Sequence, residues 1–232
     1  MTLQLTGGNT SLEDMERLRR ACRDTNPDWT PGDTEPWVIE AVTSLLLASG
    51  QDIVVELGGF SGACSVALAQ TLTRIGSGTL LVVEHDAHMA NKIRRRLELF
   101  EGLDWDVWCM DSLEAIAAIH DESIGFVWVD DSHDAPHVIK EIDALIPKMK
   151  TDGLMLFHDV CGGYRLHHVV QWYGGYSLNL PRVSSSGGLG LLQVRPSTRT
   201  RPPLKLDWSH LPGLPDNLGG WTYVYGEDGE PQ

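Results

Sequence analysis

The sequence predicts an α/β fold in which helices cover both faces of a doubly wound, mostly parallel sheet of seven strands. Between residues 53 and 158, short β-branched runs alternate with helical stretches, as in repeated βαβ units. These runs are almost entirely apolar, which is typical of parallel strands buried on both faces. Two further apolar runs near residues 176 and 189 are joined by a flexible stretch rich in Ser and Gly. We therefore expect the sheet to end in an antiparallel strand.

Composition indicates a globular chain with one core. The 232 residues are 42% hydrophobic and 22% charged, and the formal net charge is −14. Such a surface repels a phosphate backbone, so we expect no nucleic-acid partner. The longest apolar run, 115–119, is too short to span a membrane. Four scattered cysteines without a CxxC pair, and no evident signal peptide, favour free thiols in the cytoplasm.

The chain divides into three predicted parts. Residues 1–34 form an N-terminal helix, beginning at Ser11, and a lid region; residues 35–194 form the main domain; residues 195–232 form an irregular tail. The expected strands are 53–57, 79–84, 105–110, 124–130, 154–158, 176–181 and 189–194. The expected helices of the main domain begin at Pro36 and end near Gly50, and then span 63–74, 87–100, 113–119, 136–149 and 166–173.

Ligands of open α/β sheets bind at the carboxyl ends of the strands, so the residues after each strand are the candidates for a site. After the first strand comes a glycine loop with an acid ahead of it. Its residues are Glu56, Leu57, Gly58, Gly59, Phe60, Ser61 and Gly62. The loop lacks both the Gly-Lys-Ser/Thr ending of a phosphate loop and the GxGxxG spacing. A carboxylate here suits a positively charged ligand, although a plain tight turn explains the glycines equally well.

Acids also follow the second and third strands. Glu84, next to His85, is placed to accept hydrogen bonds from both ribose hydroxyls of an adenosine ligand. Asp111 and Ser112 are placed near the adenine edge, and Asp111 can equally be a helix N-cap. An ordinary solvent-facing acid remains the alternative for Glu84.

The fourth and fifth strands end in residues that suit a cation and a base. Asp130, His158 and Asp159 offer two carboxylates and an imidazole with room for substrate oxygens. His133, three residues beyond Asp130, is placed to remove a proton from a substrate hydroxyl. His137, one turn further, can face the same cleft. The alternative is a polar cluster at the sheet edge that serves solubility.

These features together resemble the class I methyltransferases that bind S-adenosylmethionine. The form Glu-x-Gly-x-Phe-x-Gly resembles the O-methyltransferases in particular. The stretch from Phe126 to Val160 is similar to the metal-dependent small-molecule enzymes, both catechol-type and macrolide deoxysugar-type. In those enzymes an acid after strand four and two polar residues after strand five hold Mg²⁺. They mostly have a carboxylate where this chain has His158, and an imidazole there favours a softer ion such as Mn²⁺.

The resemblance implies methyl transfer from S-adenosylmethionine to an oxygen of a small molecule, assisted by Mg²⁺ or Mn²⁺, in a protein that can form homodimers. It implies cofactor contacts from Glu56, Gly58, Gly59, Phe60, Ser61, Gly62, Glu84, His85, Asp111, Ser112 and Asp130. It also implies catalytic roles for His133 and Asp130, and metal ligation by Asp130, His158 and Asp159. Three alternatives stay open: a metal-independent enzyme acting on N, O or C, another reaction of the same cofactor such as cyclisation, and a binding module without turnover.

Overall fold

The computed structural model describes residues 32–161, 166–178 and 187–202 and confirms the predicted α/β fold. The strands are β1 (Ile53–Leu57), β2 (Thr79–Val83), β3 (Asp104–Trp108), β4 (Ile124–Val129), β5 (Met149–Phe157), β6 (Tyr176–Leu178) and β7 (Leu189–Gln193). The helices are α1 (Pro36–Ser49), α2 (Ala63–Ile75), α3 (Ala87–Leu97), α4 (Ser112–Ala118), α5 (Ala135–Leu145), α6 (Leu166–Trp172) and α7 (Pro196–Arg199). Within these described ranges, no helix is both long and apolar enough to cross a membrane.

The strand order is β3-β2-β1-β4-β5-β7-β6. Strands β1 to β5 are parallel, and β7 pairs antiparallel with both β5 and β6. The order reverses between β1 and β4, and the carboxyl ends there form the crevice in which such sheets bind ligands. Backbone bonds run past the strand ends, from the Gly58 amide to the Val83 carbonyl (2.9 Å) and from the Asp130 amide to the Leu57 carbonyl (2.8 Å). They hold the tips of β1, β2 and β4 in one row.

The core lies on both faces of the sheet. One layer packs α1, α2 and α3 against the sheet through residues such as Leu46, Leu68 and Ile93, and the other packs α4, α5 and α6 through residues such as Ile116 and Ile142. The buried side chains of α1 are Pro36, Val38, Val42 and Leu46, while Trp37, Ala41 and Leu45 are only partly buried.

The two boundaries that differ most from the prediction have the same cause. Strand β5 begins at Met149 rather than 154, and helix α5 ends at Leu145 rather than 149. The polar residues 150–152 look like a turn in sequence, but Met149 pairs with Ile124 before an irregularity in the β4–β5 register. Asp152 has a φ of +66°, which fits the break in a regular strand pattern. Long-range pairing therefore extends a strand through a locally unfavourable stretch.

The predicted irregular tail contains a helix, α7. The Arg199 guanidinium of this helix donates hydrogen bonds to the carbonyls of Ile146 (3.2 Å) and Met149 (2.6 Å), which follow α5. Residues 203–232, the helix predicted from Ser11 and the predicted end of β6 at residue 181 lie outside the described residues.

Replacing Gly58 with Ala should destabilise the protein more than the same change at Gly76. Both glycines have a left-handed φ, +85° and +87°. A Cβ at Gly58 would lie 2.5 Å from the Asp130 carbonyl oxygen, whereas one at Gly76 would meet nothing within 4 Å. Backbone strain alone costs about 1 kcal/mol, and we expect Gly58→Ala to cost about 2 kcal/mol more. Urea unfolding measures both values, and equal losses would show that the close approach of β1 and β4 is wrong.

Candidate active site at the strand tips

Glu84 is fixed at the tip of β2 by the loop that follows β1. Its two carboxylate oxygens accept hydrogen bonds from the amides of Phe60 and Asp86, both at 2.8 Å, and the residue is only 6% exposed. His85 is 86% exposed at its side chain and lies 3.4 Å from the same carboxylate. Each Glu84 oxygen keeps a second lone pair, so the carboxylate can still accept bonds from a ligand.

The glycine loop folds closely against its neighbours. A Cβ at Gly59 would lie 2.5 Å from the Ile93 side chain, and Gly62 begins α2 in a left-handed conformation with φ +86°. Phe60, also with positive φ, exposes 38% of its surface, and Ser61 donates a hydrogen bond to Asp33. Tight packing on α3 therefore requires glycine at two of the predicted loop positions.

Glu56 is completely buried behind this loop. The Ser65 hydroxyl donates a hydrogen bond to it, and burial raises the pKa of Glu56 to about 8, with the charge of Asp130 acting in the same direction. A carboxyl with that pKa is mostly protonated at neutral pH. The predicted contact of Glu56 with a positively charged part of the cofactor therefore stays a prediction, which requires the carboxyl to lose its proton on binding.

A cavity opens between the tips of β1, β2, β3 and β4. It is lined by Gly58, Val83, His85, Met110, Asp111, Ser112, Asp131, Ser132 and His137. Asp111 caps α4 by accepting a hydrogen bond from the Leu113 amide at 2.9 Å, so a capping role is present whether or not it also meets a ligand. Ser112 is 7% exposed, and its hydroxyl lies 3.1 Å from the His137 Nε2 atom.

His158 lies between two carboxylates. Its Nδ1 atom is 2.9 Å from Asp130 and its Nε2 atom is 2.9 Å from Glu35, while Thr34 donates a hydrogen bond to the other Asp130 oxygen at 2.7 Å. Carboxylates only accept hydrogen bonds, so both ring nitrogens must donate and the ring carries a positive charge. Burial opposes that charge, but Asp130 and Glu35 outweigh it and hold the pKa of His158 well above its usual value.

His133 and Asp159 form a second pair beside the first. The His133 Nε2 atom lies 3.2 Å from the Asp159 carboxylate, and the side chains are 29% and 15% exposed. Burial opposes a charge on both groups, but their mutual attraction outweighs it, so that the pKa of His133 is raised and that of Asp159 is lowered. Asp159 has φ +48°, a conformation that Asp tolerates better than most residues. In this conformation its side chain points towards His133.

Two of the three predicted metal ligands, Asp130 and His158, come together with His133 in the place of Asp159, but their arrangement does not fit a resident cation. Ligand atoms of Asp130, His133 and His158 lie within 4.8 Å of one another. However, both nitrogens of His158 already have carboxylate partners. A metal ion would have to displace one of the carboxylates from a charged imidazolium, and coordination requires a neutral imidazole.

Sequence reasoning missed Glu35 and gave no role to Asp131 and Glu141. Glu35 occupies the N-cap position of α1, where an acid usually caps the helix, but its side chain makes no capping bond and instead reaches His158. Asp131 and Glu141 flank His137, with Asp131 3.7 Å and Glu141 3.2 Å from its Nε2 atom. The spacing of four between His137 and Glu141 was the only signal in the sequence for this second group.

Comparisons with known proteins show which fold the chain shares. Residues 55–160 match the model of a family described as a methyltransferase domain. A similar structure is the O-methyltransferase TomG from Streptomyces achromogenes, involved in tomaymycin synthesis and solved with SAM (18% identity, 80% of this chain and 91% of that chain covered, TM-score 0.59). An O-methyltransferase from Bacillus cereus solved with SAH is also similar (17%, 80% and 92% covered, TM-score 0.56). So is a methyltransferase from Geobacter sulfurreducens (15%, 80% and 89% covered, TM-score 0.58). No curated protein matches the chain in sequence. At these identities the likeness shows a shared fold.

Replacing His158 with Gln should cost stability mainly at acid and neutral pH. A histidine whose folded pKa is raised contributes stability that is complete below its unfolded pKa of about 6.5 and disappears as pH rises through the folded pKa. We expect a loss of about 3 kcal/mol at pH 6, because two buried carboxylates lose their partner, and a smaller loss at pH 9. Urea unfolding at both pH values measures this, with exposed His88→Gln as control. A loss that does not shrink with pH would contradict the charged ring.

Proposed function

We propose that this chain, which carries a class I S-adenosylmethionine-dependent methyltransferase domain, transfers the methyl group to an oxygen atom of a small molecule. The observation that carries the proposal is the partly exposed His133–Asp159 pair, placed at the same edge of the sheet as Glu84 and the glycine loop. A general base at that edge has no evident use in holding the cofactor alone. It suits an acceptor that must lose a proton, such as a hydroxyl group.

The residues around the cavity fit an adenosine-containing cofactor. Glu84 offers a carboxylate whose remaining lone pairs suit two ribose hydroxyls, and Asp111 and Ser112 line the adjoining wall where we place the adenine. The loop at Gly58 passes under the β4 tip so closely that no side chain fits there, which leaves the backbone as the floor of the cleft. When bound, S-adenosylmethionine supplies a methyl group on a positively charged sulfur that an oxygen nucleophile can attack.

His133 is the proposed general base. In its neutral form it accepts the proton of the substrate hydroxyl as the oxygen bonds to the methyl carbon and the carbon–sulfur bond breaks. Asp159 holds the ring in place and stabilises the imidazolium that results, which is also why the pKa of His133 is raised. Much of the remaining rate comes from holding the two reactants in line.

The structure favours the metal-independent form of this reaction over the metal-assisted one. His158 puts a positive charge of the protein itself next to Asp130, where the resembling enzymes hold a cation. That charge neutralises Asp130 and leaves no ligand position on the ring. The metal-assisted form would need Glu35 or Asp130 to release His158, and metal titration distinguishes the two forms.

Glu84→Gln should weaken binding of S-adenosylhomocysteine more than tenfold, because the change removes the charge that strengthens the ribose bonds. Calorimetry measures the affinity, and Glu114→Gln, an exposed acid on α4, is the matched control. The titration is made with a chelator and then with Mg²⁺, and we expect no difference between the two. An unchanged affinity in Glu84→Gln would exclude the ribose contact, and a large gain with Mg²⁺ would restore the metal-assisted form.

His133→Asn should lower kcat by about 100-fold or more and leave the affinity for S-adenosylhomocysteine unchanged. In the unmodified protein, kcat should rise with pH through the raised pKa of His133, because only the neutral ring accepts a proton. Methyl transfer is measured on catechols and vicinal diols, with exposed His88→Asn as control. Full activity in His133→Asn would remove it from the mechanism, and methylation of amines alone would exclude the oxygen acceptor.

A further inference from the structure

A second buried polar cluster lies between α4 and α5 and has no part in the function proposed above. It consists of Asp131, His137 and Glu141, and we call it the α5 cluster. The His137 Nε2 atom is 3.2 Å from Glu141 Oε1, 3.7 Å from Asp131 Oδ2 and 3.1 Å from Ser112 Oγ. His137 and Glu141 are four residues apart on α5, so both project from the same face of the helix.

Glu141 is the unusual member of the α5 cluster. Its side chain has no exposed surface, and neither of its oxygens accepts a hydrogen bond. In the part of the chain that the structure describes, its ion-pair partner is His137, and no Lys or Arg approaches it. A buried carboxylate is costly unless a proton or a cation neutralises it, and without a metal ion the His137 ring, whose pKa Asp131 and Glu141 raise to about 10, supplies that charge.

The geometry of the α5 cluster suits a metal ion. One ligand atom from each of Asp131, His137 and Glu141 lies within 4.8 Å of the others. Zn²⁺ binds nitrogen and oxygen ligands at about 2.0–2.2 Å in a tetrahedron, whose edges are therefore about 3.3–3.6 Å long. The His137–Glu141 and His137–Asp131 separations of 3.2 and 3.7 Å are close to these edges. Zn²⁺ would displace the proton of His137 Nε2, the single nitrogen that faces both carboxylates, and two carboxylates with the resulting neutral imidazole balance the charge of a divalent cation.

We propose that Asp131, His137 and Glu141 bind one divalent transition-metal ion, with Zn²⁺ preferred over Mg²⁺ because an imidazole is among the ligands. Asp131 and His137 also line the cavity at the strand tips, together with Ser112. The fourth coordination position therefore faces Ser112 or water, and the ion forms part of the cavity wall. This site is separate from the cluster at Asp130 and His158, and it does not depend on methyl transfer.

Zinc binding to the tag-free, full-length protein tests the proposal. The protein is first stripped with a strong chelator and dialysed, and Zn²⁺ is then titrated against a chromophoric chelator. We expect one Zn²⁺ per chain and an affinity more than tenfold weaker in Glu141→Gln, which keeps the shape of the side chain. Co²⁺ gives a second readout, because its visible absorption is intense only in a tetrahedral site, and His137→Asn should abolish that absorption.

Two further variants locate the ion. Glu114→Gln removes an exposed carboxylate from α4, and His158→Asn removes the ring from the neighbouring cluster; both should keep full Zn²⁺ affinity. Circular dichroism confirms that each variant is folded. The proposal would be overturned if the protein bound no stoichiometric Zn²⁺, or if Glu141→Gln and His137→Asn bound Zn²⁺ as tightly as the unmodified protein. It would also be overturned if His158→Asn alone lost Zn²⁺ binding. S-adenosylhomocysteine affinity, measured on the same samples, shows separately whether the proposed function stands.

Discussion

The charged ring of His158 connects three parts of the chain that are distant in sequence. It follows β5, its Nδ1 atom meets Asp130 at the tip of β4, and its Nε2 atom meets Glu35 at the start of α1. Thr34 adds a bond from the same segment to Asp130. Because each carboxylate is largely buried, each depends on the imidazolium for its charge balance. The orientation of Asp130, whose backbone carbonyl lies against Gly58, therefore depends on a histidine on one side and a helix start on the other.

This arrangement changes the interpretation of the strand-tip site. The resemblance implies a cation beside the acid that ends β4, and the structure supplies a positive charge there from a side chain. An imidazolium can neutralise Asp130 and orient it, but it cannot coordinate a substrate hydroxyl as a metal ion does. Proton removal then falls to a separate group, and the His133–Asp159 pair is suited to it. The chemistry proposed for the site thus follows from the fact that His158, and not His133, lies between two carboxylates.

Local patterns account for what the sequence predicted well. Strand β1 and the starts of β2, β4 and α2 follow from short β-branched runs and from the glycines at 58, 62 and 76, and the parallel sheet follows from their alternation with helices. The sequence alone indicated the polar residues at the strand tips as candidates for the site, because the carboxyl ends of parallel strands lie at one edge of the sheet. Glu35 and His158 are 123 positions apart, and nothing local links them. The α5 cluster could not be predicted from the sequence either. Its selection as a candidate metal site depends on the burial of Glu141, which a single sequence does not show.

The two strand-tip histidines show why burial and partners decide chemistry more than residue type does. His158 is enclosed, contacts two carboxylates at 2.9 Å and has its pKa held well above the usual value, so it stays charged through the neutral range. His133 retains 29% of its side-chain surface and lies 3.2 Å from Asp159. A base must release and accept a proton within each cycle, which requires a ring that solvent and substrate can reach. His133 meets that requirement and His158 does not, which is why His133 rather than His158 is the proposed base.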